Sequence, residues 1–307
     1  MRKYLLAKIA LLLPTVLGVV TAVFLMIHLI PGDPVEIMLG ETAMESDRES
    51  LRHELGLDKP VGVQYLNYLA GLLKGDIGRS IHTREPVLNE IVSRWPATLE
   101  LAFFALAFAV LFSIPLGVLA AAKRDSVIDR GSLALSLFGI AMPNFWLGPL
   151  LIILFSIELA WFPVSGRGGI SSIILPAITL GAGMSAILLR LTRSSILEVA
   201  GEDFIKTARA KGVAEWKVYL KHALKNALLP VVTVIGLQLG ALLSGAVITE
   251  TIFSWPGIGR LTIEAIEARD YPLVQGCVLS IALGYVMVNF FMDIVYAAID
   301  PRIRLGK

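Results

Sequence analysis

The chain has 307 residues, of which 56% are hydrophobic and only 17% charged, with a formal net charge of +2. A water-soluble domain of this length carries about 25% charged residues, so the composition suits lipid rather than water. The small net charge makes no electrostatic case for nucleic acid. The single cysteine, Cys277, excludes an internal disulfide framework and a thiolate metal cluster, and the four histidines (His28, His53, His82, His222) are scattered without ligand spacing.

The N-terminus opens Met1-Arg2-Lys3 and then runs apolar from about Ile9 to Ile30. That run is long enough to cross roughly 30 Å of hydrocarbon at about 1.5 Å per residue. It is followed by Pro31-Gly32-Asp33-Pro34 rather than a small-residue cleavage site, which predicts a retained first span and not a signal peptide. A long connection over residues 31–96 mixes proline, glycine and charge with short amphipathic stretches such as Val63–Leu73. Five more apolar segments follow, over 98–122, 132–162, 172–191, 228–253 and 276–299. Inside them the apolar residues surround the whole helix, as lipid-facing or buried helices require. The 132–162 segment is overlong and carries Pro143 and Pro149, so it is expected to be kinked, broken or tilted; Pro176 near the start of the next is tolerated there. The fold class is therefore an all-α integral membrane protein, one domain of six transmembrane helices.

Orientation follows from lysine and arginine in the connections. With the N-terminus inside, the inner pieces hold 17 of the 27 basic residues, among them Lys123, Arg124, Arg130 and the set from Arg190 to Lys225. Seven of the remaining ten lie in the 31–96 connection, too long to count for much in that rule. Both termini are thereby placed in the cytoplasm.

The inner connection over residues 193–226 is the most informative stretch. Glu202 and Asp203 suit a helix N-terminus, where the macrodipole favours acids, and Gly212 suits its end. A second helix is expected from about Ala214, carrying Val218, Ala223 and Leu224 among lysines. Such a basic amphipathic hairpin can lie on anionic lipid, or it can present a rigid knob to a soluble protein. The small residues Thr207, Ala208 and Ala210 beside Gly212 permit the close approach a knob needs.

Read whole, the loop from Thr192 to Gly212, TRSSILEVAGEDFIKTARAKG, resembles the cytoplasmic docking loop of permeases in binding-protein-dependent ABC importers. It is most similar to the version in dipeptide, oligopeptide, glutathione and nickel permeases. Lys206-Thr207-Ala208 stand where the broader family has Glu-Ala-Ala, so a contact that depends on that glutamate's charge is not implied here. The resemblance runs along the chain: His28 to Pro34, Gly56 to Pro60, Gly75 to Gly78, Asn226 to Val232, Glu250 to Gly259 and Arg269 to Pro272 all look like family landmarks in family order. Among the two paired permeases the chain looks like the first, B-type, member.

The resemblance implies a type I ABC importer permease fold, a second homologous permease, two ABC ATPase subunits and an extracytoplasmic binding protein, all at a bacterial inner membrane. It also implies that ATP is bound by the partner subunits, with no cofactor or metal in this chain; no GxxxxGK[ST] phosphate loop is present. On that resemblance Thr207, Ala208, Arg209, Ala210, Lys211, Gly212, Val213 and Glu215 are expected to couple to the ATPases. Separately, Gln238, Gly245 and Thr249 recur at i, i+7 and i+11 on one face of the fifth span, as translocation-path residues would. A structural reading competes: Gln238 can simply bond another helix, and Gly236 with Gly240 can allow close helix packing.

Two other classes fit less well. A secondary transporter calls for inverted repeats and mid-membrane ion ligands in broken helices, and no repeat is evident. An intramembrane enzyme calls for a nucleophile–base or acid pair at membrane depth, and the sequence offers none around Asp293, which is expected to pair structurally with Asn289 four residues before it. Peptide is the first expectation for the cargo, with glutathione and nickel chelates open.

Overall fold

The computed structural model describes residues 2–29, 33–40 and 43–299. Met1 and residues 300–307, which carry the C-terminal basic cluster used for orientation, lie outside the described residues, as do 30–32 and 41–42.

Among the described residues the chain is helical, with one isolated bridge between Arg79 and Pro86. The first helix, α1, covers Arg2–Leu29; three shorter ones follow, α2 (Pro34–Leu39), α3 (Glu45–Glu54) and α4 (Val61–Leu73). Next come α5 (Val87–Ala122), α6 (Val127–Ala141), α7 (Asn144–Leu151, continued as a π-helix over Ile152–Glu158) and α8 (Ile170–Val199). The loop region contains α9 (Asp203–Ala210) and α10 (Glu215–Lys217, continued as a π-helix over Val218–Ala223). The chain closes with α11 (Leu224–Ile252), α12 (Ile258–Glu267) and α13 (Tyr271–Ile299).

Four stretches are long and apolar enough to cross a membrane: α5, α8, residues 215–243 from α10 through most of α11, and most of α13. The pair α6 and α7 passes the same test together but is bent by 108°, which makes five if it is one span; α1 offers a shorter apolar stretch over Ala10–Met26. The bend has a local cause. Met142 precedes Pro143, and the proline ring disfavours α-helical geometry at the residue before it, so Met142 is extended at φ −78° and ψ 115°. The overlong apolar segment is therefore two helices rather than one.

The helices group into two compact units. One contains Leu99–Trp255 with the chain from Val288 onward. Its centre is α8, with 72% of its apolar window buried. Small residues let its neighbours approach. A Cβ on Gly181 of α8 would lie 2.6 Å from the Ala105 carbonyl oxygen of α5, and one on Gly117 of α5 would lie 2.8 Å from Thr192 Cβ. In lipid, such close packing replaces the hydrophobic drive that water supplies elsewhere. Glu250, close to the end of α11, is fully buried, beside the enclosed Phe253 and Trp255.

The other unit contains Arg2–Thr98 and Pro256–Met287. Val20 and Val23 of α1 pack with Leu279 of α13 and with Tyr68, Leu69 and Leu72 of α4. Asp33 caps α2 through the Val35 amide and is ion-paired with Arg52. Buried Asp270 ties the start of α13 to the segment before α5: it accepts from Ser80 Oγ (2.5 Å), the Ile81 amide (2.9 Å) and the Leu273 amide (3.1 Å). That contact gives the Arg269-Asp270-Tyr271-Pro272 stretch a structural purpose.

Candidate coupling site

The loop after α8 is a helix–turn–helix on a packed base. Glu202 takes the extended N-cap conformation of α9, and Asp203 puts an acid in its first turn. Ile205 and Ala208, three residues apart, turn inward against Ile196 of α8, Val118 and Ala121 of α5, and Val218, Ala223 and Ala227. The inward face is therefore continuous with the first unit's interior.

The π-helical stretch explains how Val218 and Ala223 both reach that interior, each with no exposed surface. An i→i+5 repeat returns residues five apart to one face, whereas an α-helix would carry Ala223 well round from Val218. The pattern of a plain second helix does not anticipate this, because apolar residues five apart fit neither helical nor strand spacing.

Gly212 ends α9 at φ +77°. Nothing lies within 4 Å of where its Cβ would sit, so glycine is required here by backbone conformation and not by crowding. The turn is stapled by backbone bonds from the Gly212 amide to Arg209 O (2.9 Å) and from the Val213 amide to Ala208 O (3.2 Å). Arg209 then reaches across it to Glu215, with Nε 2.8 Å from Oε1 and Nη2 3.3 Å from Oε2. This two-point ion pair raises the pKa of the Arg209 guanidinium further still, and its carbon lies 6.0 Å from the centre of the Tyr219 ring.

Of the residues the sequence singles out, Thr207, Arg209, Ala210, Lys211, Gly212 and Glu215 are exposed together on the outward side of the turn, and Val213 is half-buried. Ala208 is buried, so it faces the base and not an approaching partner. The second group is arranged differently. Gln238 and Thr249 both lie on α11, Gln238 half-buried and Thr249 fully buried, while the surroundings of Gly245 fall outside the described residues.

An ion pair that the sequence reading did not single out fixes the base of the loop. Arg193 of α8 donates from Nε and Nη2 to Asp129 of α6, at 2.5 and 2.7 Å. Asp129 is also 2.9 Å from the Asp125 amide, and Ser126 caps the same helix by accepting from the Asp129 amide. Asp129 retains 2% of its side-chain exposure and Arg193 19%. The available signals were Ser126 three residues before an acid, a capping spacing, and an arginine opening the loop motif. Neither says which cation meets which acid. Among the described residues no group of three His, Cys, Asp or Glu side chains could hold a metal ion.

The sequence matches two family models nearly end to end. Residues 1–102 match the N-terminal part of binding-protein-dependent transport system membrane components, and residues 113–305 match the binding-protein-dependent transport system inner membrane component. The dipeptide transport system permease protein DppB of Escherichia coli K12 is 46% identical, with 100% of each chain covered. The di/tripeptide transport system permease protein DppB of Pseudomonas aeruginosa is 46% identical over 99% of each, and the glutathione transport system permease protein GsiC of Salmonella choleraesuis 44% over 99% of each. Among solved structures, inward facing conformations of the MetNI methionine ABC transporter superpose with a TM-score of 0.56 at 19% identity, over 70% of this chain and 99% of that one, which supports a shared fold. On two family models and full-length relatives, the chain belongs to the family of binding-protein-dependent transport system inner membrane components.

Proposed function

We propose that this chain forms half of the translocation path of an ATP-driven importer for dipeptides and short oligopeptides in a bacterial inner membrane. The observation that carries the reading is the Asp203–Glu215 turn, an exposed charged knob on an apolar base continuous with α8. The peptide assignment follows the names of the DppB relatives; a glutathione cargo is the second reading, favoured by the GsiC relative at 44% identity. The chain spans the membrane six times, with α1 as the first crossing and α6–α7 as one, and both termini are cytoplasmic. Its partners are a second homologous permease, two ABC ATPases that bind the ATP, and an extracytoplasmic binding protein that selects the cargo. The chain carries no cofactor of its own.

In this mechanism ATP-driven closure of the ATPases moves the docked turn, and α8 and α11, which lead into and out of the loop, rock the path between inward- and outward-open states. Coupling needs differential contact in the two states, hence a stiff turn. Thr207, Arg209, Ala210, Lys211, Gly212, Val213 and Glu215 make the ATPase contact, with Ala208 seating the helix beneath it. Gln238, Gly245 and Thr249 line the path when it opens.

Substitution at Gly212 tests the coupling. Alanine there costs about 1–2 kcal/mol of backbone strain, while the open space around the site leaves folding otherwise intact. Gly212→Ala and the bulkier Gly212→Val are expected to assemble less firmly and to uncouple ATP hydrolysis from uptake. Wild-type assembly with unimpaired substrate-stimulated ATPase and uptake in both would overturn the proposal. Cysteines at 238, 245 and 249 should react with soluble thiol reagents according to nucleotide state; uniform inertness removes them from the path. A thermal-shift screen of the cognate binding protein against dipeptides, oligopeptides, glutathione and nickel chelates separates the cargo readings.

A further inference from the structure

Beside the Arg209–Glu215 staple, whose Glu215 lines one edge of it, the last turns of α5 face α10 and its π-helical continuation across a groove of about 510 Å³. Pro115, Val118 and Leu119 form one wall, and Trp216, Tyr219 and Leu220 the other. Leu119, Trp216 and Leu220 are left 48%, 63% and 51% exposed, an unusual concentration for a surface meant for water. The α5 wall is the end of an apolar helix of spanning length, and exposed apolar side chains continue along it to Phe112 and Leu111. The groove is therefore contiguous with surface suited to hydrocarbon.

Its rim is basic. Lys123 lines the groove, and Lys217 and Lys221, which bracket Leu220 in sequence, are exposed. The Lys217 ammonium lies 5.3 Å from the centre of the Trp216 ring. Glu215, the acid in the groove lining, is engaged with Arg209 at 2.8 Å, and Asp125 is paired with Arg124 at 3.5 Å. Among the described residues no carboxylate lies within ion-pair distance of Lys123, Lys217 or Lys221. A tryptophan and unpaired lysines at the end of an apolar helix match the headgroup level of a bilayer, where aromatic rings and long cationic side chains settle.

We propose that this groove holds one acidic phospholipid, with an acyl chain against Pro115, Val118 and Leu119 and the phosphate among Lys123, Lys217 and Lys221. The inference rests on the chain lying in a membrane and not on the ATPase reading of the turn. Lipid bound there would brace the outer flank of the coupling loop against α5 and make the loop's stiffness depend on anionic lipid.

The assembled transporter, carrying the photoreactive residue p-benzoylphenylalanine at Leu220, is reconstituted in vesicles of equal phosphatidylglycerol and phosphatidylethanolamine and irradiated. Adduct masses then identify the neighbour. Phosphatidylglycerol adducts should predominate at position 220, while the same probe at Leu111, out on the exposed helix surface, should show no preference. Replacing Lys123, Lys217 and Lys221 by glutamine should lower the preference by roughly fivefold per lysine while leaving the acyl contact. Equal labelling of both lipids at 220, the same preference at 111, or an adduct to an ATPase or permease chain would each overturn the proposal. Complex assembly, checked by co-purification, shows that the variants are folded.

Discussion

The Asp129–Arg193 pair gives the sharpest test of how the loop after α8 is anchored. Arg193→Met removes both side-chain donors from a carboxylate that keeps 2% exposure, leaving only the Asp125 amide and the N-terminal dipole of α6. Removing one partner of a buried pair costs about 3–5 kcal/mol, and the enclosed acid places this variant at the upper end. Asp129→Asn leaves the opposite case: Arg193 is 19% exposed and has a flexible stem, so its head can reach water, and the cost should be about 1–3 kcal/mol. The double variant Asp129→Asn, Arg193→Met removes both charges and should recover at least about 1 kcal/mol relative to the sum of the single changes. Thermal melting of the purified complex in nanodiscs, read alongside substrate-stimulated ATPase, measures all three. Transport should track stability, because the pair holds α6 to α8 where the loop begins. Additive effects, or an Asp129→Asn variant worse than Arg193→Met, would refute the account of the pair as a buried anchor whose acid is its more enclosed end.

Three further outcomes follow from packing. Gly117→Ala puts a Cβ 2.8 Å from Thr192 Cβ and 3.0 Å from the Leu189 carbonyl, which should cost about 1–3 kcal/mol and lower the melting temperature. Thr192→Val should be neutral or stabilising by about 1 kcal/mol, because Thr192 Oγ1 is buried with no hydrogen-bond partner and valine matches its shape; a large loss would show that the hydroxyl is used. Asp270→Asn turns an amide nitrogen toward one of the donors its carboxylate now accepts, so about 2–3 kcal/mol should be lost, visible as faster proteolysis near Ser80.

The amino-acid pattern carries the long helices almost unaided. Apolar runs of spanning length have few alternatives once the backbone must bond to itself, so α5, α8, α11 and α13 fall where composition places them. The bend at Met142–Pro143 is equally local, a steric rule acting on one residue. The charged turn is legible for the same reason: Asp203 opens a helix and Gly212 closes it at φ +77°, both decided within a few residues.

The loop's anchorage is another matter. Hydropathy treats Arg193 and Asp129 as two more charges in connecting segments, although they meet across 64 positions of sequence. Ala208 looks like part of an exposed knob until its neighbours Ile205 and Val218 show which way the helix is rolled. The π-helical spacing that brings Val218 and Ala223 to one face leaves no periodic signature. The sequence by itself thus determined the class of protein, its long apolar helices and the turn from Asp203 to Glu215, because each rests on composition or on contacts within a few residues. Only the tertiary structure decided which charges pair, which side of α9 faces outward and where apolar surface remains uncovered, because those depend on the distance between elements that sequence does not encode locally.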